Sequence, residues 1–291
     1  MEFPTALVLN AIVAGLLLGG FYAAVSVGIS ISFGMLDVVN IAHPAFIILG
    51  SYVAYIVNDR MGVDPIVVSI VLSPLFFALG MLIYRIYYLC FEKRGQESLR
   101  GLAFFFGILF ITEVVLLLVF GVDYRLVETA YSSTTLHFGT VDFPLRLIVP
   151  FVVALTMVVG VQLYLSRTFF GRAVLAVAQD QLALRLMGVN PIRIKEFAFA
   201  LSIATAGVAG ALLIVIQPVQ PAIGREYIGL VFAVCVLGGM GSIWGTLLGA
   251  LILGLAESFT STFFGPSWAP AVSFGILLAA LAFKPSGLLG R

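Results

Sequence analysis

Few side chains in this sequence could do chemistry, and they stand far apart. His43 and His137 are the two histidines, and Cys90 and Cys235 the two cysteines. Neither histidine has an acid beside it in a recognisable motif, so no set of His, Cys, Asp or Glu converges as a metal site or as a nucleophile with its base. A membrane-embedded enzyme is disfavoured on that ground, and the thiols read as buried or interfacial. A Gly-x-x-x-x-Gly-Lys-Ser/Thr phosphate loop does not occur, so any ATP must be hydrolysed by another chain, and no cofactor is expected in this one. Glu113 is different, because it sits near the middle of an apolar block. A carboxylate there must be paired or protonated, and must face water or other helices. It is either a substrate or coupling group or a structural hydrogen-bonding group to a neighbouring helix. Asn40 and His43 flank a turn, as a cap for the helix that follows or as gating groups. Glu257 and Lys284 lie near block ends and read as interfacial.

These residues need elements to position them, and composition says which. Of 291 residues, 62% are hydrophobic and 10% charged, whereas a soluble domain carries about 25% charged residues. The apolar residues form blocks at about 6–33, 42–57, 65–90, 101–121, 145–165, 197–217, 227–240, 243–264 and 268–284. Many approach the roughly 20 residues that cross a bilayer as a helix. The blocks are continuous rather than alternating, which excludes a membrane β-barrel. The expected fold is all-α, a polytopic membrane protein of about nine (eight to ten) transmembrane or re-entrant helices. Blocks 42–57 and 227–240 are the weak spans and suit re-entrant or broken helices. The first block is too long for a signal-peptide core and is expected to be retained. Arg85, Lys93, Arg94 and Arg100 follow the third block; Arg167, Arg172, Arg185, Arg193 and Lys195 follow the fifth; Lys284 and Arg291 end the chain. The positive-inside rule then puts the N-terminus outside and the C-terminus in the cytoplasm. The net charge of +1 offers no field to attract nucleic acid. A single membrane domain over 1–291 is expected. The polar connection of about 122–144 is either an exposed docking surface or a featureless external loop.

Two stretches carry most of the functional signal. The connection of about 166–196 has a helical middle over 173–188, closed by Gly188 and the Asn190-Pro191 stop. A basic-flanked amphipathic helix of this kind either lies on anionic lipid or docks into a groove on a cytoplasmic partner. The run Gly238-Gly239-Met240-Gly241-Ser242, with Gly245 and Gly249, admits two readings that are compatible in different parts of it. Small residues at four-residue spacing allow close helix packing. Alternatively, a broken helix turns free backbone groups toward a translocation path. Gln217-Pro218 and Pro221 end a helix near the outer mouth.

Gly171-Arg172-Ala173, Ala178-Gln179-Asp180 and Leu186-Met187-Gly188-Val189-Asn190 resemble the cytoplasmic loop of branched-chain amino acid permeases from ABC importers. Three further stretches resemble the same family in order: Gly19-Gly20-Phe21-Tyr22-Ala23-Ala24 through Phe33-Gly34 to Asn40-Ile41-Ala42-His43; Gly207-Val208-Ala209-Gly210-Ala211-Leu212; and Gly238 through Gly245 with Gly249 and Gly254. The match runs from about residue 15 to 257. One departure is Pro44, where the family commonly has Gly after the His; Pro suits the first turn of a helix. The resemblance implies that Arg172, Gln179, Asp180, Ala183 and Gly188 belong to a coupling element docking into an ATPase. From the residues themselves, Asn40, His43, Glu113, Gly238, Gly239, Gly241 and Ser242 are the candidates for the translocation path. Expected partners are two ATP-binding subunits holding ATP and Mg, a second homologous permease, a periplasmic or extracellular substrate-binding protein and membrane lipid. The expected location is the bacterial cytoplasmic (inner) membrane, and the cargo a branched-chain or hydrophobic amino acid or related small amide moved by alternating access. An ion-coupled secondary transporter or channel, with Glu113 as its coupling group, is the alternative.

Overall fold

The computed structural model describes residues 5–94, 98–284 and 286–290. Nine long helices carry the chain: α1 (Thr5–Ser32), α2 (His43–Met61), α3 (Pro65–Cys90), α4 (Ser98–Phe120), α5 (Leu145–Arg167), α8 (Pro191–Ile216), α9 (Gly224–Gly238), α10 (Ile243–Phe263) and α11 (Ala269–Phe283). Between α5 and α8 lie two short ones, α6 (Phe169–Gln179) and α7 (Gln181–Leu186). Their starts follow ordinary capping chemistry. Asp64, Asn190 and Ser242 accept backbone N–H bonds at the heads of α3, α8 and α10, and Pro occupies the first turn of α2, α3 and α8. Pro44 therefore sits where the sequence expects it.

Eight helical stretches among the described residues are long and apolar enough to cross a membrane. The fold is an all-α polytopic membrane protein. α2 is not among the eight, and α9, like α11, has only 15 residues without the turn before it, about 22 Å against a hydrocarbon core of about 30 Å. α2 and α9 are the two blocks read as weak spans. α2 starts inside the protein, after a loop in which Met35, Leu36, Val38, Asn40 and Ala42 are buried. α9 starts beside it: a Cβ on Gly224 would lie 3.1 Å from Ile48 Cγ1 and 3.6 Å from the Pro44 carbonyl.

α1 and α8 form the buried centre, while α4 and α11 turn most of their apolar side chains outward. Ile70, Val71, Leu118 and Phe283 are all exposed. Water would not tolerate such a surface, but lipid does. The central contacts run through small residues. A Cβ on Gly19 of α1 would lie 2.7 Å from the Leu251 Cα of α10, and one on Gly50 of α2 would lie 2.7 Å from the Gly207 carbonyl of α8. Backbones approach that closely only where side chains are absent, the usual way helices associate without a hydrophobic drive.

One feature departs from an all-helical chain. Within the 122–144 connection, β1 (Thr135–Phe138) and β2 (Val141–Pro144) form an antiparallel hairpin, with Thr135 opposite Pro144. Gly139 at φ 64° makes the two-residue turn possible. The connection is thus structured. Asn10 of α1 accepts from the Asp142 N–H at 2.8 Å, and Arg125 pairs with Val219 through both backbone groups. Tyr131 reaches Asp64 at 3.4 Å, and burial, helped by the Asp64 charge, pushes its hydroxyl up to about 12. We call this the hairpin end of the bundle. The opposite, basic end carries α6, α7 and the tail after α11.

Candidate functional site

At the basic end, α5 turns sharply into α6. The Thr168 hydroxyl accepts from Gly171 N at 3.0 Å and donates to the Tyr164 carbonyl at 2.8 Å, capping α6 and closing α5 together. Ala173, Val174 and Val177 face inward, and Phe170 packs on Phe197 of α8 with centroids 4.5 Å apart. Arg172 and Gln179 are exposed on the other side. The single helix expected over 173–188 is two helices, because Asp180 takes an extended conformation (φ −154°, ψ 105°) between them. Its carboxylate accepts from Leu182 N at 2.8 Å and Ala183 N at 3.0 Å, the preference of Asp for a cap over a helix interior. The far end of α7 closes as a Schellman turn. Gly188 N bonds the Arg185 carbonyl at 3.0 Å and Val189 N the Leu184 carbonyl at 3.1 Å, with Gly188 at φ 79°, where a Cβ is unfavourable. This tightly closed element carries apolar side chains into the open: Leu182, Leu186 and Met187 are 66%, 82% and 70% exposed.

The glycine run breaks the chain between α9 and α10. Gly239 and Gly241 take φ 102° and 79°, and the Ser242 hydroxyl accepts from Gly245 N at 3.1 Å to start α10. The free carbonyls at the end of α9 are taken by the C-terminal tail, since Leu288 N bonds Leu237 O at 2.9 Å and Leu289 N bonds Gly238 O at 3.0 Å. A Cβ on Gly241 would lie 2.7 Å from the Gly34 carbonyl, so the break also meets the turn after α1. Gly249 faces α9, where a Cβ would lie 2.8 Å from Val234 O. Broken helix and close packing thus divide the run between them.

These two regions share one cavity of about 430 Å³. Leu175 and Gln179 of α6, Gln162 of α5, Gly241 and Ser242 of the break and Leu289 of the tail all line it. Of the sequence-predicted residues, the structure therefore brings together Gln179, Gly241 and Ser242. Gly238 and Gly239 lie behind them under the tail, and Arg172, Asp180, Ala183 and Gly188 belong to the loop in front.

Asn40 and His43 lie apart, in a buried polar seam. Asn40 Oδ1 accepts from Ala42 N at 3.1 Å, organising the turn into α2, and His43 Nε2 donates to Val25 O of α1 at 3.1 Å. His43 Nδ1, Asn40 Nδ2 and the hydroxyls of Ser26, Ser30 and Ser202 are buried without partners. Glu113 is elsewhere again, held bidentately by Arg225 Nε at 2.8 Å and Nη2 at 2.7 Å, which ties α4 to the head of α9. Glu257, expected at an interfacial position, accepts from the Tyr22 hydroxyl at 2.8 Å and faces a second cavity. Sequence reasoning missed that pairing. The available signal was a carboxylate in an otherwise apolar turn, Leu255-Ala256-Glu257.

The family described as "Branched-chain amino acid transport system / permease component" matches residues 11–281. The high-affinity branched-chain amino acid transport system permease protein BraD of Pseudomonas aeruginosa is 30% identical, over 97% of this chain and 96% of its own length. The corresponding LivH of Escherichia coli is 30% identical over 95% of this chain and 94% of its own. LivM of Salmonella typhimurium is 34% identical over a shorter stretch, 50% of this chain and 35% of its own. No solved structure matches the chain at a significant level. A match along nearly the whole length, on a polytopic helical bundle, makes this chain a member of the branched-chain amino acid transport permease component family and a multi-pass membrane permease subunit.

Proposed function

We propose that this chain is half of the membrane pathway of an ATP-driven importer for branched-chain or similarly hydrophobic amino acids, or related small amides, working by alternating access. It forms one membrane domain in a bacterial cytoplasmic (inner) membrane, with the hairpin end outside and the basic end in the cytoplasm. A second homologous permease completes the pathway, as the similarity to both LivH and LivM suggests. Two ATP-binding subunits hold ATP and Mg, and a binding protein delivers cargo at the hairpin end. The observation that carries this reading is the exposed apolar tip Leu182, Leu186 and Met187, on a helix closed by Asp180 and Gly188. A partner groove would cover that tip. α6 and the glycine break line one cavity behind it, so displacing α6 reshapes the space beside the α9–α10 hinge. Glu113, on which an ion-coupled transporter or channel would rest, is occupied by Arg225.

The chain with its ATPase, partner permease and binding protein, reconstituted in liposomes, should take up L-leucine only with ATP. Gly188→Arg or Asp180→Lys should cut ATPase association and uptake together, by about 5–150-fold, the usual span of a coupling free energy. Uptake driven by an ion gradient through this chain alone would refute the importer reading.

A further inference from the structure

We propose that the cavity between α1, α9, α10 and α11 binds a primary ammonium group; resting on the importer reading above, that group is the amino group of the cargo. The cavity measures about 200 Å³, below the roughly 300–1,000 Å³ of drug-sized pockets and scaled to a smaller solute. Tyr22, Gln217, Glu226, Tyr227, Glu257 and Ser273 supply its polar lining, and no Lys or Arg lines it. Two carboxyl groups without a cation offer an anion no counter-charge. No group of three His, Cys, Asp or Glu among the described residues could hold a metal ion.

The hydrogen bonds already made leave acceptors free. Tyr22 donates to one oxygen of Glu257 at 2.8 Å, and Gln217 Nε2 donates to the Tyr227 hydroxyl at 2.8 Å. The Gln217 carbonyl oxygen and the second Glu257 oxygen remain. Ser273 adds an independent sign: its hydroxyl, on a residue 5% exposed, is buried without any hydrogen-bond partner. Buried hydroxyls are rarely left unmatched, so one that lines a cavity marks a place for a ligand. An ammonium presents three donors and no acceptor, which suits a carboxylate, a hydroxyl and an amide oxygen.

Charge points the same way. The ion pairs among the described residues engage Glu92, Glu113, Asp123 and Asp142, and none engages Glu257 or Glu226. A carboxylate inside a membrane helix calls for a counter-charge. The arriving ammonium supplies it. Leu230 and Phe274 complete the wall with apolar surface for a hydrocarbon side chain.

The test is thermal unfolding of the full chain in detergent with three probes at matched ionic strength. L-leucinol carries the ammonium without a carboxylate, 4-methylpentanoate carries the carboxylate without an ammonium, and NaCl supplies an inorganic cation. L-leucinol alone should raise the melting temperature. Glu257→Gln, which keeps an acceptor for Tyr22 and removes the charge, should weaken leucinol binding at least about tenfold, as loss of a charged hydrogen bond does. Ser273→Ala, a smaller change, should weaken it several-fold and serves if the first variant does not fold. Equal protection by 4-methylpentanoate, equal protection by NaCl, or undiminished leucinol binding in a folded variant would overturn the site. These measurements need neither ATP nor partners. Absence of ATP-driven uptake in the assembled complex would therefore end the importer reading alone, while normal uptake by Glu257→Gln would end the ammonium site alone.

Discussion

Lys195 of α8 donates to Glu92, just past α3, at 2.6 Å, and Tyr84 donates to the other carboxylate oxygen at 2.6 Å. The two charged side chains are 7% and 10% exposed. Such a pair gains little over an apolar replacement, because desolvation consumes most of its attraction, but removing one member strands a buried charge at a cost of about 3–5 kcal/mol. Lys195→Met should therefore lower the stability of the detergent-solubilised chain by that amount in denaturant unfolding. Adding Glu92→Leu to Lys195→Met should restore most of it, and equal losses in the single and double variants would show the charges to be uncoupled. Nothing local announces this pair. Its members are 103 positions apart, as Glu113 and Arg225 are 112 apart. In the sequence Lys195 counts only as one positive charge among those that set sidedness, and Glu113 only as a carboxylate in need of a partner.

Elements were far more legible than pairs, because whether a helix spans a membrane depends on length and apolarity that a single stretch of chain contains. The blocks at 6–33 and 243–264 correspond to Thr5–Ser32 and Ile243–Phe263. The block at 197–217 begins six residues late, because α8 starts at Pro191 with Arg193, Lys195 and Glu196 in its first turns, and hydropathy does not see charged helical residues. The hairpin at Thr135–Pro144 was hidden in a polar loop, although Gly139 amid alternating residues is its local mark. The split at Asp180 was missed because good helix formers on both sides outweighed one strong capping residue. That split can be tested where it acts. Asp180→Ala removes both acceptor bonds at the head of α7, worth about 1 kcal/mol, so local opening should rise roughly fivefold. Hydrogen exchange at Leu182 and Ala183 should quicken by that factor, while the core amides of α1 and α8 keep their protection. Unchanged exchange at those two amides would mean that Asp180 does not hold α7.

Over the whole molecule, α4 and α11 leave most of their apolar side chains on the surface, while the central α1 and α8 bury polar residues such as Ser26, Ser30, Ser202 and Thr205, the reverse of a water-soluble bundle. Function then has to be passed along a rigid centre, through joints that can move. One such joint is the α9–α10 break, where the turn after α1 and the tail after α11 meet and across from which α6 lines the same cavity. The tail does more than cover it. Leu288 and Leu289 donate to the last carbonyls of α9, and Lys284 Nζ donates to Leu288 O at 2.9 Å, so the tail fastens the end of α9 to the end of α11. Truncation after Lys284 frees those carbonyls and opens one wall of the 430 Å³ cavity. The nine long helices keep their own hydrogen bonds, so the shortened chain should insert and assemble. Movement of α6 would then meet a loose hinge instead of a clamped one. In reconstituted complexes, ATP hydrolysis should continue while L-leucine uptake falls by about 5–150-fold. Loss of both together would make the tail a folding element, and retention of both would show that the hinge moves without it.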